Sequence, residues 1–409
     1  MSNKAQLQKY AELLVKVGLN VQKDEPVYIR ASIDTSEFVH LVVEEAYKAG
    51  AEDVKVKYSD DRLAQLKYQY EPESFFEEVK QYDIDERMDY VNRKAAFLAI
   101  LSTSPDNLKD ADTNKISKTM SSNAQAFKDY MVAVQSDYMS WCVAAYPSVE
   151  WAKLMFPELD EQEAYNQLLE IILKTVRVDQ EDPIAAWEQH DRTLHEKADY
   201  LNNKKYKALH YKSEGTDLTI ELPPEQYWSG ASSQNSKGNA FVANMPTEEV
   251  FTAPHKNGVN GTVRNTLPLS YSGNIIDDFT LTFKDGVVVD YKAGKGEEIL
   301  KSILEMDEGG SRLGEVALVP VDSPISNMNT LFYNTLFDEN ASCHVALGSA
   351  YAFCIENGKD MTAEELAEHG LNESATHVDF MIGSKDLSID GILENGEKEP
   401  VFRDGNWAF

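Results

Sequence analysis

The sequence predicts an α/β N-terminal domain with a mainly parallel sheet, residues 1–200, followed by a strand-rich α+β C-terminal domain, residues 201–409. Three observations carry this. A chain of 409 residues exceeds what one hydrophobic core comfortably serves. Its first half alternates helical and strand patterns, as chains do when helices cross between parallel strands. From residue 205 short alternating strands take over, with the break at 190–205 behind the helical stretch HDRTLHEKADYLNNK.

The elements follow in order. QLQKYAELLVKVGL repeats its apolar residues at helical spacing, and PVYIRAS follows as a short strand. Thr35 or Ser36 is placed to cap a helix through EFVHLVVEEAYKAG, which Gly50 ends. DVKVKY alternates like a strand, while AAFLAILS is apolar on both faces, as an interior parallel strand is. The alternation resumes through QAFKDYMVAVQS, MSWCVAAYP and EAYNQLLEIILKTVRV. In the second half KALHYKS and DLTIELP flank an EGT turn, and TLTFKDGVVVDYKA sets Asp285-Gly286 between apolar runs, a hairpin signal. Only EEILKSILEM and TAEELAEHG read as helices there. KAGKGEE matches neither a Walker loop nor a dinucleotide fingerprint and reads as a helix-entry turn.

A formal charge of −30 argues against nucleic-acid and anionic-membrane partners, whose phosphates it would repel. A hydrophobic content of 42% is that of an ordinary globular protein. Lysines and Glu12 interrupt the apolar residues of the first segment, which is unlike a signal peptide, and AAFLAIL is too short to span a bilayer. Cys142, Cys343 and Cys354 are too few and scattered for a disulfide framework or zinc ribbon, so a cytoplasmic location is expected.

The chemistry gathers in the second half. In ATHVDFMIG, side-chain alternation puts Thr376, Val378, Phe380 and Ile382 on one face and His377 with Asp379 on the other. His344 lies in the small, apolar ASCHVALGSAY, seven residues before Tyr351. Glu249 interrupts NMPTEEVFTAPH, and Glu315 opens the apolar run of RLGEVALVPV, where an unpaired carboxylate costs several kcal/mol. Singly, each has a structural explanation: Glu315 pairing with Arg312, His344 filling the core, Tyr351 packing. Together they form an oxygen and nitrogen ligand set suited to zinc, manganese or cobalt. Cys343 would face away from His344 on a strand. Three carboxylates and one bridging hydroxide would balance two divalent ions, which would polarise a carbonyl and acidify bound water. That chemistry is hydrolysis.

NMPTEEVFTAP, RLGEVALV, ASCHVALGSAY and THVDFMIGS resemble, in order and spacing, the metal-dependent aminopeptidases typified by aminopeptidase T and by aminopeptidase S of Gram-positive bacteria, the streptococcal or staphylococcal type above all. The resemblance covers the whole chain. It implies a two-metal exopeptidase (zinc, cobalt, manganese or magnesium) acting on peptides with a free N-terminus, with Glu249, Glu315, His344, His377 and Asp379 as metal residues. It implies Tyr351 as the active-site tyrosine, catalysis in the C-terminal domain, and a homodimer. HExxH is absent, and the family does not use it. Glu249 or Glu315 would move the proton, with Glu248 as a spare base, and Tyr351 would hydrogen-bond the oxyanion. The alternatives are another metallohydrolase (a carboxypeptidase or deacylase) and a non-enzymatic metal- or peptide-binding protein. A carboxypeptidase would need a basic clamp, for which Arg264 and Lys256 are the local candidates.

Overall fold

A computed structural model describes residues 3–271 and 274–409. The chain divides into two compact units, one of residues 1–190 with 232–246 and the other of 191–231 with 247–409. In the first unit the strands Asn244–Met245, Trp141–Ala145, Ala96–Leu101, Val27–Ser32 and Val54–Ser59 lie side by side in that order, all parallel. The predicted parallel sheet is therefore present. The apolar AFLAIL run occupies its middle, where both faces are covered, whereas Val54–Ser59 at the edge is only half-buried. Gly50 ends the Ser36–Ala49 helix at φ 99°, the left-handed cap that glycine suits. Thr35 does not cap it: its hydroxyl donates back to the Ser32 carbonyl at 2.7 Å, inside a short turn that precedes the helix.

The second unit is built on antiparallel pairing. Asp285 and Gly286 both take positive φ, 50° and 83°, and join Asn274–Lys284 to Val287–Lys295, the predicted hairpin. That hairpin belongs to a large sheet with the 208–213, 216–221 and 388–403 strands. A second sheet orders His377–Met381, His344–Gly348, Leu313–Leu318, Val250–Thr252 and Ser229–Gly230. One face of this second sheet supplies Val378, Phe380, Val345, Leu347, Val316, Leu318 and Val250 to the core of the unit. Its other face carries the candidate site. Among the described residues no helix is long and apolar enough to cross a membrane.

Candidate metal centre

The sheet register explains the site. Asp379 pairs with Ala346, which pairs with Glu315; His377 pairs with Gly348; and His344 pairs with Ala317. Period-2 alternation therefore puts Glu315, His344, His377 and Asp379 on one face, and Glu249 enters just ahead of the Val250–Thr252 strand. The positions interspersed among them are Ala317, Ala346 and Gly348, which leave space that larger residues would fill. At Glu315 the strand carries an irregularity: the register slips between Leu313 and Glu315, around Gly314. A Cβ at Gly314 would meet the Ser349 carbonyl at 2.3 Å.

The distances form two triads with one shared member. His344 Nε2 lies 3.1 Å from Glu249 Oε2 and 3.5 Å from Glu315 Oε1. His377 Nε2 lies 3.5 Å from Glu315 Oε2 and 3.5 Å from Asp379 Oδ1. Within each triad the candidate ligand atoms fall within 4.8 Å of one another. Both imidazoles donate Nδ1–H to a backbone carbonyl, Ser342 at 3.1 Å and Ser349 at 2.7 Å, which turns Nε2 toward the carboxylates. Metal-binding histidines are oriented this way. Asp379 Oδ1 is buried and accepts no hydrogen bond. An oriented nitrogen pair and an unsatisfied buried carboxylate oxygen fit a divalent cation.

Electrostatics agree. Burial opposes the imidazolium at His344, but Glu249 and Glu315 outweigh it and hold its pKa well above the ordinary value. At His377 burial is again outweighed, by Asp379 and Glu315, and the pKa is pushed up to about 10. Burial raises Glu315, with Asp379 and Glu249 adding to the effect. Protons on the histidines thus supply positive charge that the carboxylates demand.

The structure brings together all five residues singled out as metal ligands. Tyr351 joins them: its ring lies 5.1 Å from that of His377, and burial with the nearby carboxylates raises its hydroxyl pKa. Arg312 does not pair with Glu315 but donates to the Lys256 carbonyl and Asn257 Oδ1 at 2.9 and 3.0 Å. Arg264 pairs with Asp278 at 2.8 Å on an exposed strand. Cys343 points into the core, its thiol pushed up to about 12 by burial. Sequence reasoning missed Glu339. Its turn, Glu339–Ala341, packs beside the His377 strand, and burial together with the charges of Asp379 and Glu249 lifts its pKa well above normal. The only sequence signal was the acidic pair Asp338-Glu339 just ahead of ASCHV.

Residues 3–407 match the model of the thermophilic metalloprotease family (M29). The chain belongs to that family. It is 54% identical to aminopeptidase AmpS of Bacillus subtilis (strain 168), over 98% of each chain. It is 48% identical to aminopeptidase 2 of Geobacillus stearothermophilus, over 99% of this chain and 98% of that one. The solved structure of wild-type AmpT from Thermus thermophilus superposes with a TM-score of 0.93 at 39% identity, covering 99% of this chain and 100% of that one. Membership of M29 makes this a divalent-metal hydrolase, in line with the carboxylate and imidazole cluster described above.

Proposed function

We propose that this chain releases N-terminal amino acids from peptides with two divalent ions held by Glu249, Glu315, His344, His377 and Asp379. The chain is a metal-dependent aminopeptidase, like its family and its named relatives. The two-ion reading rests on one observation: the two oxygens of Glu315 face different histidines, so a single carboxylate belongs to both triads. The three carboxylates of the two triads, with one hydroxide, would balance the charge of two divalent cations.

Ions bound here would polarise the scissile carbonyl and bring the pKa of a water towards ~7. The protein's own groups supply the rest. Glu315 is engaged through both oxygens, whereas Glu249 meets His344 through Oε2 alone. Glu249 is thus the carboxylate placed to take the proton from the attacking water and pass it to the leaving amine. The Tyr351 hydroxyl, kept neutral by its raised pKa, donates a hydrogen bond to the oxyanion of the tetrahedral intermediate. The carboxylate-rich cluster favours a substrate's α-ammonium and repels a carboxylate.

The same reading gives residues 1–200, joined by residues 232–246, to a non-catalytic α/β domain and the rest of residues 201–409 to catalysis. It includes a homodimer, which the family resemblance implies. It also includes a cytoplasmic location, which suits three buried free cysteines, and no nucleic-acid or membrane partner, which suits a charge of −30. The test is to strip the protein with chelator, restore single metals, and assay a panel of aminoacyl substrates. A dipeptide amide should be cleaved at its first bond, and its N-acetylated form at least ~100-fold more slowly, about 2.7 kcal/mol in transition-state binding. Equal kcat/KM for the two would reject the aminopeptidase reading in favour of a general metallohydrolase.

A further inference from the structure

Glu339 lies on a turn whose flanking side chains, Asp338 and Asn340, are 5% and 0% exposed. Asp338 spreads its carboxylate over the preceding loop: Oδ1 accepts from the Phe332 N–H at 2.7 Å and Oδ2 from the Asn334 N–H at 2.9 Å. Between those two residues Tyr333 holds φ 55°, a left-handed conformation costly for a bulky side chain. One carboxylate grips the peptides on both sides of the strained residue. Asn340 reaches the other way. Its Oδ1 accepts from the Glu248 N–H at 2.7 Å and its Nδ2 donates to the Leu336 carbonyl at 3.0 Å. The Glu248 amide immediately precedes Glu249, so a single side-chain amide ties the turn bearing Glu339 to the backbone bearing Glu249.

We propose that Asp338 and Asn340 are positioning residues: Asp338 fixes the turn that bears Glu339, Asn340 ties that turn to the backbone of Glu249, and together they preorganise the cluster for divalent cations. This rests on the metal-centre reading above. Carboxylates gathered in one buried cluster repel one another until cations arrive, and repulsion drives their loops apart. The clamp resists that motion largely from the backbone side: Asn340 Nδ2 also donates to Glu339 Oε1 at 3.4 Å, and the clamp engages no oxygen of Glu249. Neither side chain need touch an ion for its loss to weaken ion binding, as with the outer partners of other metal sites.

The test is metal affinity, measured on the full chain by competition of Zn2+ and Co2+ against a chromophoric chelator. Asn340→Ala should bind about 10–100-fold more weakly. Asp338→Asn, which keeps the volume and one acceptor, should move the same way. Asn235→Ala is the control. It removes a buried amide from the other unit, one bonded to Ser140 Oγ at 2.9 Å and accepting from Lys237 and Asn239 N–H at 2.9 and 3.1 Å. It should lower thermal stability and leave metal affinity unchanged. Wild-type affinity in Asn340→Ala, or an equal loss in Asn235→Ala, overturns the clamp. If Asn340→Ala does not fold, Asp338→Asn decides alone, and wild-type affinity there overturns it. A wild-type chain that binds no divalent ion defeats the metal-centre reading instead, a result obtained before any variant is made.

Discussion

At Glu315 one side chain meets two histidines, so its charge matters more than its shape. Glu315→Gln keeps the length and hydrogen-bonding outline but removes that charge, and kcat/KM should fall at least ~100-fold together with bound metal. His377→Ala should likewise abolish hydrolysis and lower metal content while circular dichroism stays that of the folded protein; normal turnover at full metal occupancy would sink its assignment. Cys343 marks the boundary of the site. It adjoins His344 in the chain, yet its Sγ lies 3.4 Å from the Val319 N–H on the core side of the sheet. With its thiol pushed up to about 12, it should resist iodoacetamide at pH 8, and Cys343→Ala should keep wild-type kcat/KM. Alkylation that inactivates through Cys343 alone would instead give the thiol a chemical role.

The strand is the scale at which the sequence was most readable. His377 and Asp379 share a face because a strand's period is two, and Glu315 declared itself as a carboxylate inside an apolar run. The Asp285-Gly286 hairpin was equally legible, because few residues besides glycine, asparagine and aspartate accept positive φ there. Glu339 was not, since it lies on a single non-periodic turn beside an equally acidic neighbour whose carboxylate serves the backbone. Nor could sequence adjacency place Arg312, which the Gly314 irregularity separates from Glu315. That irregularity yields a prediction of its own. Gly314→Ala pushes a Cβ against the Ser349 carbonyl and should cost about 1–3 kcal/mol in thermal unfolding, with activity lost alongside. Gly396→Ala, at φ 83° with no atom within 4 Å of the new Cβ, should cost only the left-handed penalty of about 1–2 kcal/mol and leave activity intact.

For the whole molecule, metal loading and protonation are linked through His377. In the metal-free protein its pKa is about 10, above the ordinary histidine value, so the proton it holds stabilises the fold fully below pH ~6.5. That contribution is lost as pH climbs through about 10. The melting temperature of chelator-treated protein should therefore decline between these limits, while metal affinity rises over the same range because the proton must leave Nε2 first. A flat melting temperature with pH-independent affinity would contradict this coupling. The path of the chain has a different consequence, for synthesis. Residues 232–246 return to the first unit after the chain has already begun the second, and they bring the edge strand Asn244–Met245 to Trp141–Ala145. On the ribosome, the parallel sheet stays one strand short until the opening hairpin of the other unit has been translated. A fragment cut near residue 200 would leave the Trp141–Ala145 edge bare, inviting the edge-to-edge association that unpaired strands undergo.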